Sequence, residues 1–169
     1  INRPYPIPLI NNKQELKNRY SELFDDSLIS VITSSNIKED WSDVGWRGIM
    51  LHNGIVWLDY DGRFIGTNYT SDKEKVIERK WVEYEKSLLH PDLQKFEAPI
   101  HTIQTDKFIL RVDLLGNEKY RYACWSIDSD ISNKPDLVIN NGVWTPDGSG
   151  GNHHYSFTNG EYSYVVYVN

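Results

Sequence analysis

The chain has 169 residues, of which 39% are hydrophobic, 25% charged and 13% aromatic, and its formal net charge is −6. This length suits one domain or two small halves, and the aromatic content excludes an intrinsically disordered chain. The single cysteine, Cys124, excludes an intrachain disulfide and a cysteine-based zinc site. The acidic balance and the short apolar runs exclude a nucleic-acid binder and a membrane-inserted segment.

The first eight residues carry three prolines, which fix φ and prevent a helix. We therefore expect a stiff, extended arm over Ile1–Pro8. Because the numbering begins without a methionine, either a signal peptide has been removed or the chain has been trimmed. We expect a periplasmic or secreted protein, with a cytoplasmic location left open.

A first amphipathic helix is predicted from Asn12 to about Asp25, with Asn12 as N-cap and Glu15 returning the bond. Its apolar stripe falls at i, i+4, i+7 and i+8, on Leu16, Tyr20, Leu23 and Phe24. The β-branched segment Leu28–Thr33 fits either a strand or an extension of this helix.

Two hairpin signals follow, at Asn53-Gly54 and Asp61-Gly62. Each supplies a residue pair that favours positive φ, as a type I′ turn requires. We therefore predict three antiparallel strands, near residues 47–52, 55–60 and 63–69.

The second helix is predicted over residues 72–89, because Ser71 and Glu74 form a capping box and His90-Pro91 ends the helical pattern. Its apolar face is predicted to contain Ile77, Trp81, Tyr84 and Leu88.

From residue 100 the hydrophobic period changes from 3.6 to 2, which indicates strands. One hairpin is predicted around Gly116-Asn117, a short strand over 137–140 closed by Asn141-Gly142, and a last hairpin around Asn159-Gly160. The fold class is therefore α+β: two amphipathic helices packed on antiparallel, hairpin-rich sheets. We expect one compact domain over 1–169, with possible halves at 1–97 (helix, hairpins, helix) and 98–169 (antiparallel β).

The aromatic excess is the main indication of a binding surface, because Tyr and Trp enrich such surfaces as well as cores. Four aromatic residues stand beside turns or polar strand positions and are candidates for lining a groove: Trp46, Trp125, Trp144 and Tyr155. Arg47 and His153 are further ligand-binding candidates.

Two charged residues, Arg111 and Asp113, lie at i and i+2 on one predicted strand, opposite a strand that carries Arg121. They form either a cross-strand ion network on an open sheet face or the polar floor of a pocket. Both residues are kept as candidates for ligand binding.

The glycine-rich run 147–152 precedes two adjacent histidines, which in a strand point to opposite faces. They are therefore poorly placed to chelate one ion, and we expect no metal and no cofactor. A catalytic alternative remains: a hydrolase that uses His153 or His154 with Asp147, and Ser149 as the nearest hydroxyl.

Two runs, at 46–59 and at 134–157, look like segments of small exported bacterial proteins of uncharacterised function, some of which resemble cone-shaped NTF2-like domains. That resemblance implies helices packed on a curved sheet and carries no catalytic residues. Together with the missing catalytic constellation, it favours a non-enzymatic protein that binds a partner protein or a small ligand. One form is an immunity or inhibitor protein whose acidic surface blocks a basic toxin cleft.

Overall fold

The structure is a computed structural model that describes residue 10 and residues 12–148 and 151–168. The predicted extended arm at 1–8 and the hydroxyl of Ser149 lie outside these residues. The chain divides into two compact units, Ile1–Arg79 and Lys80–Asn169. Each unit is described by itself, and the expectation of a single domain stays a prediction.

The first predicted helix is interrupted: α1 spans Lys13–Asn18 and α2 spans Tyr20–Leu23. Between them Arg19 leaves the helical region, with φ −107° and ψ 12°. The predicted cap is confirmed, since Oδ1 of Asn12 accepts a 2.9 Å bond from the backbone of Glu15. The carboxylate of Glu15 in turn accepts a 2.8 Å bond from the side-chain amide of Asn12.

The ambiguous segment after it is helical, forming α3 at Asp26–Ser34. Asp25 caps this helix by accepting a 3.0 Å bond from the backbone of Leu28, which is fully buried. The hydroxyls of Thr33 and Ser34 donate back to the carbonyl oxygens of Ile29 and Ser30, one turn earlier.

Four short strands form an antiparallel sheet in the order β1-β2-β3-β4: β1 Trp41–Asp43, β2 Ile49–Leu51, β3 Val56–Leu58 and β4 Phe64–Gly66. Three of them match the predicted strands in place, although each is shorter, and β1 was not predicted. The core of this unit is built around Leu28, Leu51 and Val56.

The turns that join β2 to β3 and β3 to β4 are not the predicted type I′ turns. In the first, His52 (φ 48°) and Gly54 (φ 86°) are left-handed and Asn53 is not, so four residues join Leu51 to Val56. In the second, Gly62 (φ 77°) is left-handed without Asp61. In this second turn the Asp59 carboxylate accepts a 2.8 Å bond from the backbone of Arg63 across a loop that is wider than two residues.

Helix α4, Asp72–Ser87, begins at the predicted capping box. The backbone of Ser71 donates to Glu74 Oε2 (3.0 Å), and the backbone of Glu74 donates to Ser71 Oγ (3.1 Å). A 3₁₀ turn, Pro91–Leu93, follows the predicted stop.

The predicted apolar face of α4 is not its packed face. Ile77 is half-buried, but Trp81, Tyr84 and Leu88 are all exposed. In the second unit the helix instead packs through Val82, and the segment that follows it packs through Leu89. Glu85 of the helix also forms a long-range ion pair with Arg111, which no local periodicity encodes.

The second unit contains a six-stranded antiparallel sheet in the order β10-β9-β8-β7-β6-β5. Its strands are β5 Ala98–Gln104, β6 Phe108–Gly116, β7 Lys119–Ser126, β8 Leu137–Pro146, β9 His153–Asn159 and β10 Tyr162–Val168. The α+β class is thus confirmed, with four helices rather than two among the described residues.

Two hairpins of this sheet, β6–β7 and β9–β10, turn one residue later than the predicted turn pairs Gly116-Asn117 and Asn159-Gly160. Between β6 and β7 the turn residues are Asn117 (φ 50°) and Glu118 (φ 56°), which is the type I′ pattern. Between β9 and β10 they are Gly160 (φ 61°) and Glu161, as in a type II′ turn.

Asn141-Gly142 does not end a strand, contrary to the prediction. Asn141 (φ 64°) forms a bulge within β8, and the register with β7 shifts between Tyr120 and Tyr122. A Cβ atom on Gly142 would lie 2.1 Å from a ring carbon of Phe157. The bulge therefore lets the ring of a β9 residue lie directly on the β8 backbone, where β8 passes from pairing with β7 to pairing with β9.

The two faces of the sheet are packed differently. We call the face that carries Val112, Tyr122, Cys124 and Phe157 the inner face. The sheet curls over this face, since the rings of His101 on β5 and Tyr155 on β9 are 5.7 Å apart. On the outer face, Ala123 and Trp125 are covered by Leu89, Leu93 and Phe96, which follow α4 in the chain.

Candidate functional site

The eight candidate residues are divided between the two units, and those of the second unit lie on both faces of its sheet. Trp46 and Arg47 belong to the first unit, whereas the other six belong to the second. There, three lie on the outer face of the sheet beneath the α4 region (Arg111, Asp113 and Trp125), and three lie on the inner face near the end of β8 and the start of β9 (Trp144, His153 and Tyr155).

The most exposed candidate is Trp46, whose surface is 90% accessible. It sits at the centre of a 3₁₀ turn, Gly45–Arg47, between β1 and β2. The guanidinium carbon of Arg47 lies 5.3 Å from the centroid of the indole ring, a cation–π arrangement. This pair presents a large flat apolar surface beside a positive charge.

The turn that carries Trp46 is held by a dense set of hydrogen bonds. Oδ1 of Asp43 accepts from the backbone of Gly45 (2.7 Å) and from the hydroxyl of Tyr60 (2.6 Å). These two bonds lower the pKa of the Asp43 carboxyl, the Tyr60 bond being the larger cause. The left-handed Gly48 closes the turn, and a Cβ atom there would lie 2.2 Å from the carbonyl oxygen of Leu58.

The predicted cross-strand ion network exists, but it is buried rather than on an open face. Asp113 accepts 2.7 Å and 2.6 Å bonds from Arg111 Nε and Arg121 Nη2, one on each carboxylate oxygen. Arg111 also donates to Glu85 on α4 (2.8 Å). The ring of Phe96 lies 5.2 Å and 5.7 Å from the two guanidinium carbons. Four charged groups of balanced sign are thus enclosed under the helix.

Trp125 is a core residue and not part of a groove. Its side chain is fully buried, and its indole N–H donates a 2.9 Å bond to the carbonyl oxygen of Asn133. That bond satisfies the one polar atom of the buried ring and fixes the loop between β7 and β8.

The inner-face candidates form an aromatic cluster with two further residues, His101 and Tyr120. The ring of His153 lies 5.7 Å from Trp144 and 5.5 Å from Tyr155. Burial raises the pKa of the Tyr155 hydroxyl to about 12. Burial, followed by the nearby His153, lowers the pKa of His101. The cluster therefore favours neutral side chains.

The adjacent histidines point to opposite sides of β9, as predicted. His154 leaves the inner face and lies 2.9 Å from Asp147 Oδ1, while Nδ1 of His153 lies 3.0 Å from the carbonyl oxygen of Gly151. Within the described ranges, no hydrogen bond joins either imidazole to a serine, threonine or cysteine. The hydrolase alternative thus has a His–Asp pair, and its nucleophile stays a prediction.

A groove of about 630 Å³ that the sequence did not indicate lies beside the ion network. Its lining includes Leu93, Lys95, Arg121, Lys134, Val138 and Asn140. Arg121 is buried, and its Nε atom has no hydrogen-bond partner in the part of the chain that the structure describes. The groove could not be anticipated because Lys95, before β5, and Lys134, between β7 and β8, are far apart in the chain and line one groove only in the folded unit.

Among the residues described, no group of three or more His, Cys, Asp or Glu side chains is placed to hold a metal ion. None of the helices in the same residues is long and apolar enough to cross a membrane.

No protein-family model matches the chain, and neither curated proteins nor solved structures give a match. The NTF2-like resemblance and the exported location therefore stay predictions.

Proposed function

We propose that the chain is a non-catalytic binding module that holds a partner protein through Trp46 and Arg47 of its first unit. The observation that carries the proposal is the 90% accessible indole of Trp46 on a hydrogen-bonded turn. Trp and Arg are the residue types most enriched at the energetic centres of protein interfaces.

Exposure and rigidity together support an anchor rather than a loose surface side chain. Burying an indole of 150–250 Å² against a partner is worth on the order of 3 kcal/mol. The bonds among Asp43, Gly45 and Tyr60 already order the turn, so little conformational entropy is lost on binding. The expected partner offers an apolar pocket for Trp46 and an acceptor for Arg47.

The immunity or inhibitor form of this proposal is favoured by the net charge of −6, which attracts a cationic partner. If a basic partner is bound, its association rate falls steeply as the salt concentration rises. An association rate that does not depend on salt would contradict the inhibitor form of the proposal, although the chain could still be a binding module.

Photo-crosslinking tests the anchor directly. The change Trp46→p-benzoylphenylalanine should crosslink one discrete partner in the native host, and the same change at Trp81, an exposed tryptophan of α4, should not. With that partner purified, Trp46→Ala should weaken binding about 30-fold or more, the loss expected of an interface centre. Trp81→Ala is the matched control. A partner that binds the Trp46→Ala variant as tightly as the wild type contradicts the proposal.

The groove beside Arg121 favours a second candidate, the binding of a small ligand that bears a carboxylate. Its volume of about 630 Å³ is typical of ligand sites, and Lys95 and Lys134 outweigh the one carboxylate in the lining, that of Asp92. Calorimetric titration with succinate should show binding that the double change Lys95→Ala and Lys134→Ala abolishes. The control is Lys107→Ala, at an exposed lysine in the turn between β5 and β6. No heat with the wild type contradicts this candidate.

A further inference from the structure

One edge of the six-stranded sheet is open. Among the residues that the structure describes, strand β10, Tyr162–Val168, pairs with β9 alone, and their register runs without a shift from one end to the other. In an antiparallel ladder every second residue of such an edge turns its N–H and C=O away from its single neighbour. The strand therefore offers a regular row of backbone donors and acceptors over its whole length.

This edge lacks the features that keep sheet edges apart. Its seven residues, Tyr-Ser-Tyr-Val-Val-Tyr-Val, include no charge, no proline and no bulge. Natural proteins place lysines, prolines or bulges at edges that must stay unpaired. An uncharged edge rich in β-branched and aromatic residues is typical of a strand that pairs with another one.

The opposite edge of the same sheet provides the contrast. Strand β5 contains Pro99, which has no N–H to donate, and its register with β6 shifts between Pro99 and His101. One edge thus carries two of the usual protective features and the other carries none. This asymmetry indicates that β10 is an interface and that β5 is not.

We propose that β10 pairs antiparallel with β10 of a second copy of this chain, so that one continuous sheet runs through a two-fold dimer. A symmetric interface places the same strand on both sides, so it must be self-complementary. An uncharged strand meets this condition, because no like charges are brought together. The proposal is independent of the function proposed above.

The register that fits this symmetry best is centred on Val165. Tyr164 then faces Val166 of the partner subunit, an aromatic and β-branched pair of the kind that stabilises sheets. In this register the Glu161 residues of the two copies do not face each other. The pairing would form about six backbone hydrogen bonds across the axis.

The side chains of β10 agree with this arrangement. Tyr164, Val166 and Val168 pack with the inner-face cluster, whereas Val165 and Tyr167 face the other side and are 42% and 66% accessible. Val143 on β8 is also exposed on this side of the sheet, with Ser156 of β9 between it and Val165. A second copy would bring an equivalent surface next to these side chains.

Sedimentation equilibrium at concentrations on the order of 100 µM tests the proposal. The wild type should have twice the chain mass of 19.7 kDa. The double change Val165→Lys and Tyr167→Lys should give a folded monomer, because both side chains are exposed and lysine is tolerated at an edge. Thr102→Lys, at an exposed position of the β5 edge, is the matched control and should remain a dimer.

Hydrogen exchange provides a second measurement. Backbone amides within 162–168 should exchange more slowly in the dimer than in the lysine variant, while those of 98–104 should not differ between the two. Circular dichroism confirms that each variant is folded. A monomeric wild type overturns the proposal, and so does a dimer that survives both lysines or is lost in Thr102→Lys.

Discussion

Asp113 on β6 lies directly opposite Arg121 on β7, and its carboxylate accepts a 2.6 Å hydrogen bond from the guanidinium of that arginine. Its other oxygen accepts from Arg111. Asp113 is thus the anion that two buried arginines share. The stability of the second unit is expected to depend on it more than on any single ion pair at the surface.

The change Asp113→Ala should lower the free energy of unfolding by about 3–5 kcal/mol, because it leaves buried cations without their counter-ion. Urea denaturation measures this change. Asp128→Ala, at an exposed carboxylate after β7, should cost less than about 0.5 kcal/mol. Similar losses for the two variants would show that the ion network does not stabilise the fold.

Gly142→Ala should destabilise the second unit by about 1–3 kcal/mol, the usual cost of overpacking. The cause is the ring of Phe157, since the added Cβ would lie 2.1 Å from it. Gly66→Ala is the control, because a Cβ atom on this glycine of β4 meets nothing within 4 Å. In thermal unfolding, Phe157→Leu should partly restore the Gly142→Ala variant. An equal loss in both backgrounds would exclude the ring as the cause.

Acidification should destabilise the protein through His101. Burial and His153 place its folded pKa below the ordinary value of 6.5, so the unfolded chain binds the proton more readily. Above pH 7 this destabilisation by His101 is absent, because the histidine is neutral in both the folded and the unfolded chain. The free energy of unfolding then falls as the pH drops through 6.5, and it levels off below the folded pKa. His101→Gln should remove this component, as measured by urea denaturation between pH 7.5 and about 5. An unchanged pH slope would contradict the assignment.

Cys124 should react with Ellman's reagent only when the sheet opens. Its side chain is buried on the inner face, and burial raises the pKa of its thiol, so the reactive thiolate is scarce at pH 8. We expect the folded chain to react at least about 100-fold more slowly than the chain in urea. Thr102→Cys adds an exposed thiol as the internal control. Equal rates for the two thiols would contradict the inner-face position of Cys124.

Local sequence signals predicted where α1 and α4 begin, because a helix cap is formed by residues only a few positions apart. Asn12, Ser71 and Glu74 all make the capping bonds that their spacing indicated. The type of a turn was less predictable. Neither Asn53 nor Asp61 takes a positive φ, and in the second turn the carboxylate of Asp59 bonds to the backbone of Arg63 across the loop.

Contacts between distant residues explain the other differences. Helix α4 is joined to the sheet by the bond between Glu85 and Arg111, which are far apart in the chain. The ring of Phe157 lies against Gly142 next to the bulge at Asn141, and the groove is lined by segments that are distant in sequence. Trp46 was a candidate from its residue type, but its exposure is a property of the folded turn.

The order of strands in the second unit also bears on how fast it folds. All five pairings of its sheet join strands that are neighbours in sequence. Folding rates fall as the mean sequence separation of contacts grows, so this meander should fold faster than β-proteins with crossed connections. Its hairpins can form one after another. The segment 127–136, the longest connection between two paired strands of the sheet, is where we expect the rate-limiting closure.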